Sequence, residues 1–164
     1  MMKKSLFMVI FMLASLCINA QSLTFSGIPL GGDIASFDYN LTSGGFIPNT
    51  GLNSQLAPGN RSYRGKYLGD KIQIAVYYDD HTAKVYGVKV LYDITDKGTS
   101  METLSKVKKH LMKKLSGVRC EETRDENGNM QFVMKLSNGQ IKGFIGQTNG
   151  GYSAYLMFRD SAHL

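Results

Sequence analysis

Three Asn-Gly steps, Asn127-Gly128, Asn138-Gly139 and Asn149-Gly150, cut the last third of the chain into strand-length pieces. Asn-Gly is the strongest short hairpin signal, because both central residues of a type I′ turn need positive φ. The pieces around them span residues 118–124, 129–136, 140–147 and 152–159. Met130, Phe132, Met134 and Leu136 alternate with Gln131, Val133 and Lys135, and Tyr152, Ala154, Leu156 and Phe158 alternate in the same way. A period of two puts one set on each face of a pleated strand. Four antiparallel strands in a meander are therefore expected at this end.

Upstream of the meander the period changes. Met101, Leu104, Val107 or Lys108, Leu111, Leu115 and Val118 recur every three or four residues, lining one side of a helix. Thr99 as N-cap with Glu102 three residues on suggests a capping box, and Gly117 supplies a stop.

The first half reads as a worn version of the same unit. Ile34, Phe37 and Leu41 have helical spacing after a cap at Asp33, and Gly44-Gly45 ends the segment before Phe46. Three strand candidates follow, residues 61–68, 71–79 and 84–93, with turns at Gly69-Asp70 and at 79–82. Residues 47–60, rich in Pro, Gly and Asn, are expected to be a long loop where a first strand would otherwise lie. The expected fold is α+β: two tandem helix-plus-antiparallel-meander units, residues 21–96 and 97–164, with the helices on one face of the sheet. Arg64, Lys66, Tyr77, Lys89, Phe144, Tyr155 and Met157 would then point away from the helices.

The amino terminus carries an address. Lys3 and Lys4 precede a nearly unbroken apolar run from Leu6 to Ile18, and Ala20 is a small residue suited to cleavage before Gln21. This is the layout of a secretory signal peptide over residues 1–20, too short to span a bilayer. Leu16 is bulky for the pocket of a lipoprotein-processing enzyme, so a cut after Ala20 is favoured over a lipid anchor at Cys17. The exported chain would be periplasmic or secreted, with Cys120 as its lone thiol, expected to be buried and inert. Of the formal +6 charge, Lys3 and Lys4 supply two, which leaves +4 from Gln21 onward. That is too mild a balance to point to nucleic acid.

The stretch Phe25-Ser26-Gly27-Ile28-Pro29-Leu30-Gly31-Gly32, followed by Gly45-Phe46, resembles the opening of a group of uncharacterised exported proteins of Bacteroidetes. Those proteins begin with a G-I-P-[IL]-x-G phrase and then a short helix ending in G-F. Here the helix departs from the Lys-rich form, with Asp38, Asn40 and Thr42 instead. The resemblance implies a Gram-negative host and an envelope address, and carries no activity. The doubled helix-plus-meander layout is also similar to the β-lactamase-inhibitor-protein type of fold, a likeness of pattern that transfers no function. Asp160-Ser161-Ala162 is similar to the short O-glycosylation acceptor motif of Bacteroidetes.

Motifs for chemistry are sparse. His81, His110 and His163 have no second His or Cys at ligand spacing, and the calcium-loop-like run from Asp125 to Asn129 is followed by Met130 and Leu136 at the places where such a loop needs its Gly and Glu. No G-x-S-x-G elbow occurs. Neither metal nor cofactor is expected. Two surfaces remain. Tyr77, Lys89, Phe144, Tyr155 and Met157 would form a recognition face for a protein or envelope component, tyrosine offering a large rigid ring with one hydroxyl. Lys106, Lys109, Lys113 and Lys114 would form a cationic ridge on the second helix for anionic surfaces. The sequence thus favours a non-enzymatic exported binding module. Its rivals are a small periplasmic hydrolase or lipid-handling enzyme with a site assembled in space, and an envelope structural factor docking through the ridge.

Overall fold

A computed structural model describes residues 22–164, so the expected signal segment, with Cys17, Ala20 and Gln21, lies outside the described residues. Strands β1 (Thr24–Phe25) and β2 (Ile28–Pro29) form a small hairpin that leads into helix α1 (Ile34–Ser43). Asp33 caps α1, its carboxylate accepting from the N–H groups of Ala35 and Ser36. Next come β3 (Ile47–Pro48), the single-turn α2 (Thr50–Asn53), and the long strands β4 (Asn60–Tyr67), β5 (Asp70–Tyr78) and β6 (Val85–Tyr92). Helix α3 (Lys97–Lys114) precedes the final meander of β7 (Cys120–Arg124), β8 (Met130–Leu136), β9 (Gly139–Thr148) and β10 (Gly151–Asp160). A 3-10 turn at Ser161–His163 follows.

The architecture is α+β, built on one large antiparallel sheet. Its eight strands run in the order β3-β4-β5-β6-β10-β9-β8-β7. The last strand of the first half pairs with the last strand of the second, Val88 opposite Phe158 and Val90 opposite Leu156. Two meanders thus share a seam at the centre and leave β3 and β7 as edges.

Alternation settles which face is covered. Tyr63, Ile72, Ile74, Val76, Val88, Val90, Phe132, Met134, Ile141, Leu156 and Phe158 point to one side and are buried. Over them lie α1 through Ile34, Phe37 and Leu41, and α3 through Leu104, Val107 and Leu111. The β1–β2 hairpin adds to the same core. Its Phe25 meets Phe46, Tyr67 and Phe158 at centroid distances of 5.8, 5.6 and 5.4 Å. One contiguous core results.

Several local expectations are corrected. The N-cap of α3 is Asp96 rather than Thr99, and Thr99 Oγ1 donates to Asp96 Oδ2 at 2.6 Å. The backbone explains the earlier start: Thr95 pairs with Tyr152, which delivers Asp96 to the cap position. Residues 47–60 are not all loop. Ile47–Pro48 pairs with β4, so the strand expected there exists in shortened form, and Asn53 pins the segment to β4 by two bonds with the Ser62 backbone. The β4–β5 turn is centred on Leu68-Gly69, both at positive φ, and Asp70 already belongs to β5.

Candidate functional site

Among the described residues no helix covers the second face of the sheet. Gln73, Ala75, Tyr77, Lys89, Leu91, Gln131, Val133, Lys142, Phe144, Tyr155, Met157 and Arg159 all emerge there by strand parity and are partly exposed. The residues expected to form a recognition face, Tyr77, Lys89, Phe144, Tyr155 and Met157, share this side. Arg64 and Lys66 join them near the β4 edge.

Register gives the face a grid. Tyr155 on β10 lies opposite Phe144 on β9, and the rings stack at 5.1 Å with an interplanar angle of 10°. Gly146 permits this, since a Cβ there would sit 2.5 Å from the Tyr155 ring. One step along β10, Met157 is flanked by Lys89 on β6 and Lys142 on β9. Lys89 Nζ hangs 4.8 Å from the Tyr155 ring centre and Lys142 Nζ 5.7 Å from that of Phe144. One step further, Arg159 lies beside Tyr77, whose phenol is pushed up by burial and pulled back in part by the Arg159 charge. Among the described residues, none of Lys89, Lys142 and Arg159 forms an ion pair with a carboxylate, and Arg159 Nε is shielded without a hydrogen-bond partner. Glu121 also emerges on this side, at the β7 edge, where it bridges Arg119 and Lys135. The centre of the face is therefore cationic and aromatic together.

A bulge between Tyr77 and Tyr78 turns Tyr86 out of register and onto Tyr77, at 6.2 Å between rings. His163 stacks on Tyr86 at 4.3 Å, and its Nδ1 lies 2.7 Å from Asp160 Oδ1. The carboxy terminus thus folds onto one corner of the same face, with Ser161 exposed in the 3-10 turn.

The helical ridge is less uniform than the sequence implies. Lys106 is paired with Asp70 at 2.8 Å, and its neighbour Lys108 with Glu122 at 2.8 Å. Lys109, Lys113 and Lys114 are exposed and form no ion pair among the described residues. Cys120 is half-buried rather than fully buried; burial and then the Glu122 charge push its thiol up, against Lys108. Asp125 organises its hairpin by accepting from the N–H groups of Asn127 and Asn129 and from Asn129 Nδ2.

A second constellation has no local signature in the sequence. Asp38 on α1 pairs with Arg61 on β4 at 3.1 Å, beside the Tyr63 and Tyr78 rings and below the 47–60 segment. These positions are 23 residues apart in the case of Asp38 and Arg61, and no local pattern links them. Among the described residues no group of three His, Cys, Asp or Glu is placed to hold a metal, and no helix is long and apolar enough to cross a membrane. A scan against protein-family models, a search of curated proteins and a search of solved structures each return no match.

Proposed function

We propose that the chain is an exported, non-enzymatic binding module that captures an anionic envelope glycan on its open sheet face. The observation that carries this reading is the set Lys89, Lys142 and Arg159, unpaired by carboxylates, around the Phe144–Tyr155 stack. Cations supply attraction to phosphate or carboxylate groups, and flat rings supply apolar area for sugar C–H faces. Charge also argues against a second copy as occupant, because two such faces brought together would oppose like charges. The expected signal segment at the amino terminus and the resemblance to exported Bacteroidetes proteins support a partner in a Gram-negative envelope. In the same reading the sheet is two copies of one helix-plus-meander unit, supported by a strand order that mirrors about the β6–β10 seam.

Titration with purified lipopolysaccharide, against neutral dextran as control, tests the reading. Lipopolysaccharide should bind, weaken steeply as salt rises, and be lost in the Lys89→Ala/Lys142→Ala double variant and in Tyr77→Ala/Tyr155→Ala. Binding that survives both variants but disappears in Lys109→Ala/Lys113→Ala/Lys114→Ala would transfer the function to the α3 ridge.

A further inference from the structure

The concavity beneath the 47–60 segment lies on the helix-bearing side of the sheet, away from the open face. It is an open pocket of about 350 Å³ lined by Asp38, Asn53, Asn60, Arg61, Tyr63 and Tyr78, with Pro48, Leu56 and Pro58 as apolar walls. Its size is at the low end of small-ligand pockets. Two polar atoms here are shielded from solvent without a close hydrogen bond among the described residues: Asp38 Oδ1 and the Tyr63 hydroxyl. Tyr63 is only 1% exposed, so its hydroxyl was removed from water at a cost that an ordinary core position would avoid by using Phe. Burial and the Asp38 carboxylate push that phenol up to about 12, with Arg61 pulling it back in part, which keeps it a neutral donor at any physiological pH.

The two orphans have complementary needs. Asp38 Oδ1 only accepts, whereas the Tyr63 hydroxyl both donates and accepts. A ligand hydroxyl can donate to the first while accepting from the second. Arg61 is held by Asp38 Oδ2, lies 5.6 Å from the Tyr78 ring centre and also interacts with the Tyr63 and Tyr78 hydroxyls; its five N–H donors outnumber these partners. The Asp38–Arg61 pair is electrically neutral as a unit. A ligand anion would meet the Asp38 carboxylate and a ligand cation would meet the guanidinium, so a neutral ligand is preferred. From this geometry we infer that the pocket formed by Asp38, Arg61 and Tyr63 binds one neutral sugar unit, two of whose neighbouring hydroxyls engage the carboxylate, phenol and guanidinium. The site is independent of the open face and stands whether or not that face binds an anionic glycan. It also explains why the 47–60 segment is fastened to β4 through Asn53 and Ser62: the fastening holds the pocket roof in place.

The test uses the chain from Gln21 onward and three neutral probes, the methyl glycosides of mannose, galactose and N-acetylglucosamine, each at millimolar concentration. Amide chemical shifts of residues 38 and 53–63 should move with at least one probe. Tyr63→Phe and Asp38→Asn should each weaken that binding by roughly tenfold or more, the loss of one hydrogen bond in a shielded site. Tyr63→Phe should leave the melting temperature close to that of the parent, because among the described residues the hydroxyl makes no close hydrogen bond and only weaker contacts with Asp38 and Arg61; this separates loss of ligand from loss of fold. Lys89→Ala/Lys142→Ala should bind the glycoside as the parent does. The inference is overturned if no glycoside shifts these amides, if binding survives Tyr63→Phe, or if glucuronate or inorganic phosphate competes better than the neutral sugars.

Discussion

Gly143 and Gly146 stand three residues apart on β9 and face opposite sides of the sheet. A Cβ on Gly143 would run into the Phe132 ring, which is fully buried and has nowhere to move. Gly143→Ala should therefore destabilise by about 1–3 kcal/mol, as overpacking does, and denaturant melts would show it. A Cβ on Gly146 meets the outer edge of Tyr155, a partly exposed ring that is free to swing away. Gly146→Ala should leave the denaturation midpoint nearly unchanged while altering the near-ultraviolet circular dichroism of the Phe144–Tyr155 stack. Equal destabilisation by the two changes would mean that Tyr155 is held as firmly as Phe132. The glycines themselves were visible in the sequence, but what lies above each was not, since the partner residues come from neighbouring strands.

At the scale of elements, α3 shows how a local signal is refined by its surroundings. Thr99 and Asp96 are both good N-cap residues, and propensity alone does not choose between them. The Thr95–Tyr152 pairing fixes the chain just before the helix, and the Thr95–Ser100 hydroxyl bond at 2.9 Å closes the first turn. Asp96 then accepts from Thr99 Oγ1 and the Thr99 N–H, bonds that hold its carboxyl below the ordinary range. Such a depressed group stabilises the fold above its unfolded-state pKa, and that contribution is lost as pH falls through the folded-state value. Asp96→Ala should thus lower the melting temperature at neutral pH, with the gap to the parent closing in acid. A gap that stayed constant down to the lowest pH would assign the effect to packing instead.

The molecule as a whole depends on the β6–β10 seam. β6 contributes Val88 and Val90 to the shared core and is paired on both sides, while α3, which packs over β9 and β10, belongs to the second half. Phe25 adds a second tie by touching Tyr67 and Phe158 together. Residues 22–96 alone would leave β6 as an open apolar edge and should give a poorly dispersed amide spectrum or aggregate. The chain from Gln21 onward should melt in one cooperative step. A well-dispersed spectrum from the first half alone would show that the two meanders are separable units. The sheet's own edges are protected differently: β7 carries Glu121, Glu122 and Arg124, and β3 is only two residues long.

By itself the sequence determined the elements of the second half, the α+β class, and the side of the sheet on which Tyr77, Lys89, Phe144, Tyr155 and Met157 emerge. Those are consequences of period and turn chemistry, which act over a few residues and need no knowledge of distant chain. Only the tertiary structure decided that the halves join at β6 and β10, that Lys106 is spent on Asp70, and that Phe25 closes the core. It alone brought Asp38 to Arg61 and Tyr63. Each of these joins residues far apart along the chain, and the free energy that selects them comes from burial and pairing summed over the whole sheet, a quantity that no local pattern encodes.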